Sequence, residues 1–255
     1  QPRNQEVIKL VRLDAMDGGG HAAEPAATEE HAGPEDEHAA AAEEHGGNEH
    51  EAAAEHETTP LWSYAGDTGP GKWGSLANEF AACASGHEQS PIDLAKGQVE
   101  GALDLEFHYE ASEAEVTDNG HTLQVDVPEG GFITIGGRRF DLVQFHFHGP
   151  SEHTVGGRSY PLEIHLVHKD ETGKLAVVGV LVEPGSANTV LGAVIDALPT
   201  TQGRAEALAK TISPEKLLPK LKSSFQYSGS LTTPPCTEGV AWSVLVAPIT
   251  MSEDQ

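Results

Sequence analysis

Lysine and arginine are scarce in this chain. Of its 255 residues only 15 are Lys or Arg against 40 Asp and Glu, giving a formal net charge of −25 and a pI near 4.7. Phosphate backbones and anionic bilayers repel such a surface, which argues against nucleic acid and acidic membranes as partners and favours a small-molecule substrate. Long apolar runs are missing too. The longest, around Leu175 to Val182, is far too short to span a bilayer and reads as a buried strand. The chain begins at Gln1 and no apolar signal core precedes its acidic stretch, so any secretion signal is expected to have been removed or omitted.

Between Asp17 and Glu57 there is no Lys, Arg or aromatic residue, only Ala, Glu, Gly, His, Pro and a few small polar residues. Residues 1–57 hold fifteen acids against Arg3, Lys9 and Arg12, a net of −12, about half of the whole. Low hydrophobicity with high net charge predicts a disordered tail over residues 1–58, followed by one folded domain over 59–255. Six tail histidines (His21, His31, His38, His45, His50 and His56) alternate irregularly with glutamates; such tracts gather divalent metal weakly, but this spacing sets no geometry.

What is present lies further on. In Gln144-Phe145-His146-Phe147-His148 a strand's period of two puts His146 and His148 on one face and the two phenylalanines on the other. His165, in Glu163-Ile164-His165, lies on a second apolar run able to pair with the first across a turn-rich segment. Three neutral imidazoles leave one tetrahedral position open, the mark of a catalytic rather than a structural zinc site. Ordinary half-buried strand histidines remain the plain alternative. The spacing His146-x-His148-x3-Glu152 also fits half of a cupin metal motif, but the second half needs a later histidine and none follows His168.

A distant stretch, Ser228-Gly229-Ser230-Leu231-Thr232-Thr233-Pro234-Pro235-Cys236-Thr237-Glu238, has too many turn formers for a core strand. Together with the histidines it resembles the alpha-class carbonic anhydrases. Further matches follow in family order: Trp62-Ser63-Tyr64, Gly69-Pro70-x-x-Trp73, Gln89-Ser90-Pro91-Ile92-Asp93, Asn119-Gly120-His121, Ser151-Glu152-His153-Thr154-Val155 and Leu175-Ala176-Val177. The resemblance runs from Leu61 to the end of the chain and is far more specific than any one metal motif.

It implies a zinc enzyme that interconverts carbon dioxide and bicarbonate, one Zn2+ per chain on His146, His148 and His165. Zinc lowers the pKa of its water to about 7, a figure for which the carbonic anhydrases are themselves the reference case. By the resemblance, Thr232 and Glu152 orient the attacking oxygen, Thr233 helps to bind bicarbonate, and Val167, Val177, Leu231 and Trp242 wall the carbon dioxide pocket. Gln144 and Glu163 hold the ligand rings. His121 exports the proton, with Tyr64, Asn119 and Gln124 ordering the water between it and the metal. His153 and His168 are buried structural residues on the far side rather than ligands. Cys83 and Cys236 are expected to pair as a disulfide worth at most roughly 5 kcal/mol, which implies an oxidising, periplasmic or secreted location.

The folded part reads as mainly β (α+β), and the resemblance implies a large, twisted, mostly antiparallel sheet with short surface helices. Apolar runs over 142–148, 162–168, 175–182 and 240–249 are separated by Gly and Pro turns. Short helices are expected over 190–197 with Thr189 as N-cap, over 205–210, and over 214–218 capped by Ser213. Ser90-Pro91 and Pro234-Pro235 are expected to be cis. Met251-Ser252-Glu253-Asp254-Gln255 reads as the start of a helix, where the family continues with a helix and a closing strand. Two other readings use the same residues: a silent carbonic-anhydrase-like binding module, and a periplasmic zinc buffer working through the tail. A homodimer is compatible with all of them.

Overall fold

The computed structural model describes residues 61–94 and 103–255. The acidic tail and its histidines lie outside the described residues. Two short helices, α1 (Trp73–Leu76) and α2 (Ala82–Ser85), lead into the strands β1 (Asp93–Leu94), β2 (Leu105–Tyr109), β3 (Glu115–Asp118), β4 (Leu123–Asp126), β5 (Gly131–Ile135), β6 (Arg138–His148), β7 (Thr154–Val155), β8 (Leu162–Lys169) and β9 (Leu175–Pro184). Helix α3 (Thr189–Ile195) then precedes β10 (Ala205–Ala207), β11 (Ser224–Ser230), β12 (Glu238–Leu245) and β13 (Ile249–Met251).

Eleven of these strands form one sheet, with β10-β3-β4-β6-β8-β9-β12-β11 as its spine; β1 and β7 pair separately. Pairing in the large sheet is antiparallel except where β9 takes β12 and β13 in parallel. The expected large, mostly antiparallel sheet is therefore what the chain forms. The middle strands β8 and β9 are buried on both faces, which is why they read as near-continuous apolar runs.

Strand β6 carries the decisive irregularity. Its register with β8 shifts between Leu142 and Gln144, so Val143 is an extra, bulged residue. Before the bulge Phe140 and Leu142 are buried; after it Phe145 is. The added residue reverses the phase of the strand, so all three apolar residues face the core while Gln144, His146 and His148 share the other face.

Three local expectations change. The segment 205–210 is not helical: Ala205–Ala207 is an edge strand paired with Glu115–Thr117 of β3. Six residues are too few to sustain a helix alone, and an open sheet edge satisfies their backbone instead. Helix α3 is capped by Asn188, not Thr189, because Asn188 Oδ1 accepts from the amides of Val190 and Leu191 at 2.9 and 3.2 Å. Pro214–Leu217 is a 3-10 turn, and Ser213 precedes it without a side-chain cap bond. Ser90-Pro91 and Pro234-Pro235 are cis, as is Gly149-Pro150, which sequence did not indicate.

Cys83 and Cys236 form a disulfide across 153 residues of sequence. Cys236 sits at φ 57°, a conformation that favours glycine, held by the bond to α2 and by Gln89 Nε2 donating to its carbonyl at 3.1 Å. Reducing the bond, or making Cys83→Ala/Cys236→Ala, should lower unfolding free energy by about 3 kcal/mol. Urea titrations with and without reductant test this; coincident midpoints would contradict it.

On the far side of the sheet His168 is wholly buried. Its Nδ1 donates to Ala176 O at 3.3 Å, leaving Nε2 to accept from the Tyr109 hydroxyl at 2.8 Å. Burial holds its pKa down to about 3, against an ordinary 6.5. Between those values the unfolded chain binds a proton that the folded chain refuses, so stability is full above about 6.5 and falls as pH falls. The expected slope from this residue is ~1.4 kcal/mol per pH unit. Stability measured from pH 4.5 to 6 should be flatter by that amount in His168→Gln.

Candidate active site

Three register rows on one face of the sheet build the site. The first runs Gln144, Val167, Val177, Trp242, Tyr227 across β6, β8, β9, β12 and β11. The second runs Gln124, His146, His165, Gly179, Val244 from β4 to β12, and the third His148, Glu163, Leu181. The sheet thus places the histidine cluster beside an apolar row. Val177, Trp242, Tyr227 and Leu181 belong to one buried cluster, against which Val167 and Leu231 pack. Trp242 is both core and wall: its Nε1 donates to Ser230 O at 2.9 Å, and its ring lies 4.8 Å from those of His153 and His165.

His146, His148 and His165 offer ring nitrogens within 4.8 Å of one another. His146 Nδ1 donates to Gln144 Oε1 at 2.9 Å, which leaves Nε2 with its lone pair. Burial, then the neighbouring His165, depresses His146 to about 3 and His148 to about 2, so both rings are neutral. Burial also opposes charge on His165, but the Glu163 carboxylate outweighs it and raises the ring.

Glu163 is fully buried and anchors the floor. Its Oε2 accepts from the His153 amide at 2.9 Å and its Oε1 from His153 Nδ1 at 2.7 Å. His165 Nε2 lies 3.0 Å from the same Oε1, close but poorly aligned, so we read an ion-pair contact rather than a full hydrogen bond. Burial opposes the ionised Glu163, yet His165 and His153 together hold it well below the usual carboxylate range. Gly179 makes room for it: a Cβ there would meet Glu163 Oε1 at 3.0 Å. His153, Glu163 and His165 also cluster, so His153 lies beneath the site and not, as expected, on the far side with His168; both its nitrogens are occupied, the second by the Tyr227 hydroxyl at 2.7 Å, and the group is a brace rather than a metal cradle. Tyr227 in turn meets Ser90 Oγ at 2.8 Å, tying the floor to the cis Ser90-Pro91 segment.

The opposite wall comes from the β11–β12 loop, closed by Leu231 N to Thr237 O at 3.0 Å and Cys236 N to Thr233 O at 2.8 Å. The Thr232 hydroxyl faces Glu152, whose carboxyl is pushed up by burial and pulled down, by less, by His165 and that hydroxyl. Glu152 Oε1 lies 3.5 Å from His148 Nδ1. Tyr64 stands at the rim, its phenol pushed up to about 12 by burial and by Glu152. His121 is set apart from the three histidines, its ring stacked on Trp62 at 3.7 Å and 4°. Asn119 spends its Oδ1 on the amides of His121 and Thr122, both at 3.0 Å, and reaches Gln124 only at 3.5 Å. Trp62, Gly179, Tyr227 and Ser90 were not singled out as site residues from sequence; register brings in Gly179 and Tyr227, and tertiary contacts bring in Trp62 and Ser90.

The donor set fits zinc. Neutral imidazoles are its natural ligands, two rings have outer partners that leave a second nitrogen free, and His148 Nε2 is buried with no hydrogen-bond partner among the described residues. A mostly antiparallel sheet bearing three converging imidazoles beside an apolar wall defines a lyase of the hydratase kind. A family profile described as eukaryotic-type carbonic anhydrase matches residues 68–255, and the chain belongs to that family. It is 43% identical over 194 residues to a carbonic anhydrase of Neisseria gonorrhoeae, covering 75% of this chain and 76% of that protein. A carbonic anhydrase of Nostoc sp. is 40% identical over 203 residues, with 77% of each covered. Among solved structures, an alpha-carbonic anhydrase from Thermovibrio ammonificans bound to sulfanilamide superposes with TM-score 0.70 at 42% identity, covering 76% of this chain and 86% of that one.

Proposed function

We propose that the chain catalyses the zinc-dependent, reversible hydration of carbon dioxide to bicarbonate and a proton, with residues 59–255 as its catalytic domain. The observation that carries this is the convergence of three imidazoles beside an apolar wall, with Glu152 next to His148 and His165. Zinc held by His146, His148 and His165 would supply an acidified water at neutral pH. With its proton turned to Glu152, Thr232 Oγ1 would accept a hydrogen bond from the attacking oxygen and so aim a lone pair of that oxygen at the substrate carbon. Val167, Val177, Leu231 and Trp242 hold an uncharged substrate by exclusion of water, and Thr233 receives bicarbonate. His121 takes the released proton to buffer; burial lowers its pKa from 6.5, which favours handing that proton on.

The disulfide supports an oxidising location, the periplasm or outside the cell. Among the described residues no helix is long and apolar enough to cross a membrane. Stopped-flow hydration with metal analysis tests the reading: about one zinc per chain with rapid hydration is expected, whereas bound zinc without hydration would defeat it. Thr232→Val, which keeps shape but loses the oxygen, should lower kcat/KM by roughly 10²-fold at unchanged zinc content.

A further inference from the structure

The turn that carries His121 is tied to the metal-ligand strand by a residue outside the machinery described so far. Strands β3 and β4 pair as far as Asp118 and Leu123, leaving Asn119 to Thr122 as the loop. Inside the loop, Asn119 and Asp118 side chains accept the backbone amides. That sets its shape but not its position over the site. The β4–β6 ladder stops at Gln124 and His146, so Phe147, between the two ligands of β6, needs another partner on that side.

Thr122 supplies it from its side chain. Oγ1 donates to Phe147 O at 2.6 Å and accepts from Phe147 N at 3.3 Å. One hydroxyl thereby replaces both backbone groups of a missing strand partner. Two other contacts bracket the same turn: the Trp62 ring under His121, and Gly203 N donating to Asp118 O at 2.7 Å.

We propose that Thr122 is a positioning residue for proton export, its hydroxyl clasping the His121 turn to the strand that bears His146 and His148. The inference rests on the reading of His121 as the shuttle. Transfer from a held imidazole through water depends on a set distance, so a loop free to drift loses rate without losing the metal.

Proton export follows the hydration step, so a fault in it lowers kcat and spares kcat/KM. The test compares zinc-loaded parent, Thr122→Val, Thr122→Ser and His121→Ala by stopped flow in weak buffer, with and without added imidazole. Thr122→Val should lose roughly tenfold in kcat, short of the 10²-fold or more that a positioned proton-transfer group contributes. It should keep kcat/KM, recover with imidazole, and be matched to parent by Thr122→Ser. By NMR on the same chains, the Phe147 amide should exchange faster and the His121–Trp62 ring contact weaken in Thr122→Val. A normal kcat in Thr122→Val beside a depressed one in His121→Ala overturns the clasp and leaves the shuttle standing. Normal kcat in both overturns the two together. A parallel fall of kcat and kcat/KM without imidazole rescue marks damage to the metal centre and also overturns the proposal.

Discussion

A His165→Ala chain will show no zinc-dependent hydration above buffer and will bind zinc roughly 10²- to 10³-fold more weakly than its parent. The magnitude follows from structural zinc sites, where about 10–16 kcal/mol is spread over four ligands, or about 2.5–4 kcal/mol each. His146 and His148 would remain two apart on β6, but two rings cannot define a tetrahedral site with one open position. The fold should survive, because Glu163 keeps the His153 amide and ring as partners when His165 is gone. Competition against a chelator measures the affinity, and circular dichroism checks the fold. Gln144→Ala is the graded comparison: it removes only the acceptor for His146 Nδ1 and should cost 10- to 100-fold in affinity at most. Zinc held at parental strength by His165→Ala would move the third ligand elsewhere and undo the site described above.

Much of this site is legible in the sequence because its key feature is local. Two histidines two residues apart on a strand share a face whatever the rest of the fold does. The apolar runs that became β6, β8 and β9 announce themselves in the same way, by composition over a few residues. Register is different. Nothing in the sequence pairs His165 with Gly179, yet the missing side chain there gives the Glu163 carboxylate its place. Thr122 likewise follows an Asn-Gly-His turn without any signal that its hydroxyl will stand in for a strand partner. The 205–210 segment failed for a related reason: strong helix formers over only six residues cannot offset the cost of nucleation, and an open edge on β3 takes their backbone instead. Asn188 won the cap of α3 over Thr189 because its carbonyl reaches two amides at once.

The bulge at Val143 is the least legible feature and the one on which the site depends most. Phe140, Leu142, Gln144, His146 and His148 alternate regularly in sequence, which on a regular strand would put all five on one face. The bulge absorbs one residue and so returns the ligand half to the proper phase; deleting Val143 does the same by removing that residue. Leu142 then stays opposite His168 and Gln144 opposite Val167, so Phe140, Leu142, Phe145 and Phe147 keep one face and Gln144, His146 and His148 the other. A Val143 deletion chain should therefore hold zinc and resist urea much as its parent does. Inserting one residue after Phe145 is the opposite case. It leaves Phe140 and Leu142, only 2% and 4% exposed, in place and turns the last three residues of β6 over. Phe147 then faces the site, and His146 and His148 press into the apolar layer on the other face. At ~2 kcal/mol for the displaced ring and ~2 kcal/mol for each buried imidazole without a partner, the loss is about 6 kcal/mol, a large share of an ordinary domain's stability. Urea resistance and zinc content should fall together in the insertion chain. An insertion chain that still holds one zinc would mean that a second bulge forms to absorb the added residue, and that the ligand rows outweigh regular pairing in setting the register of β6.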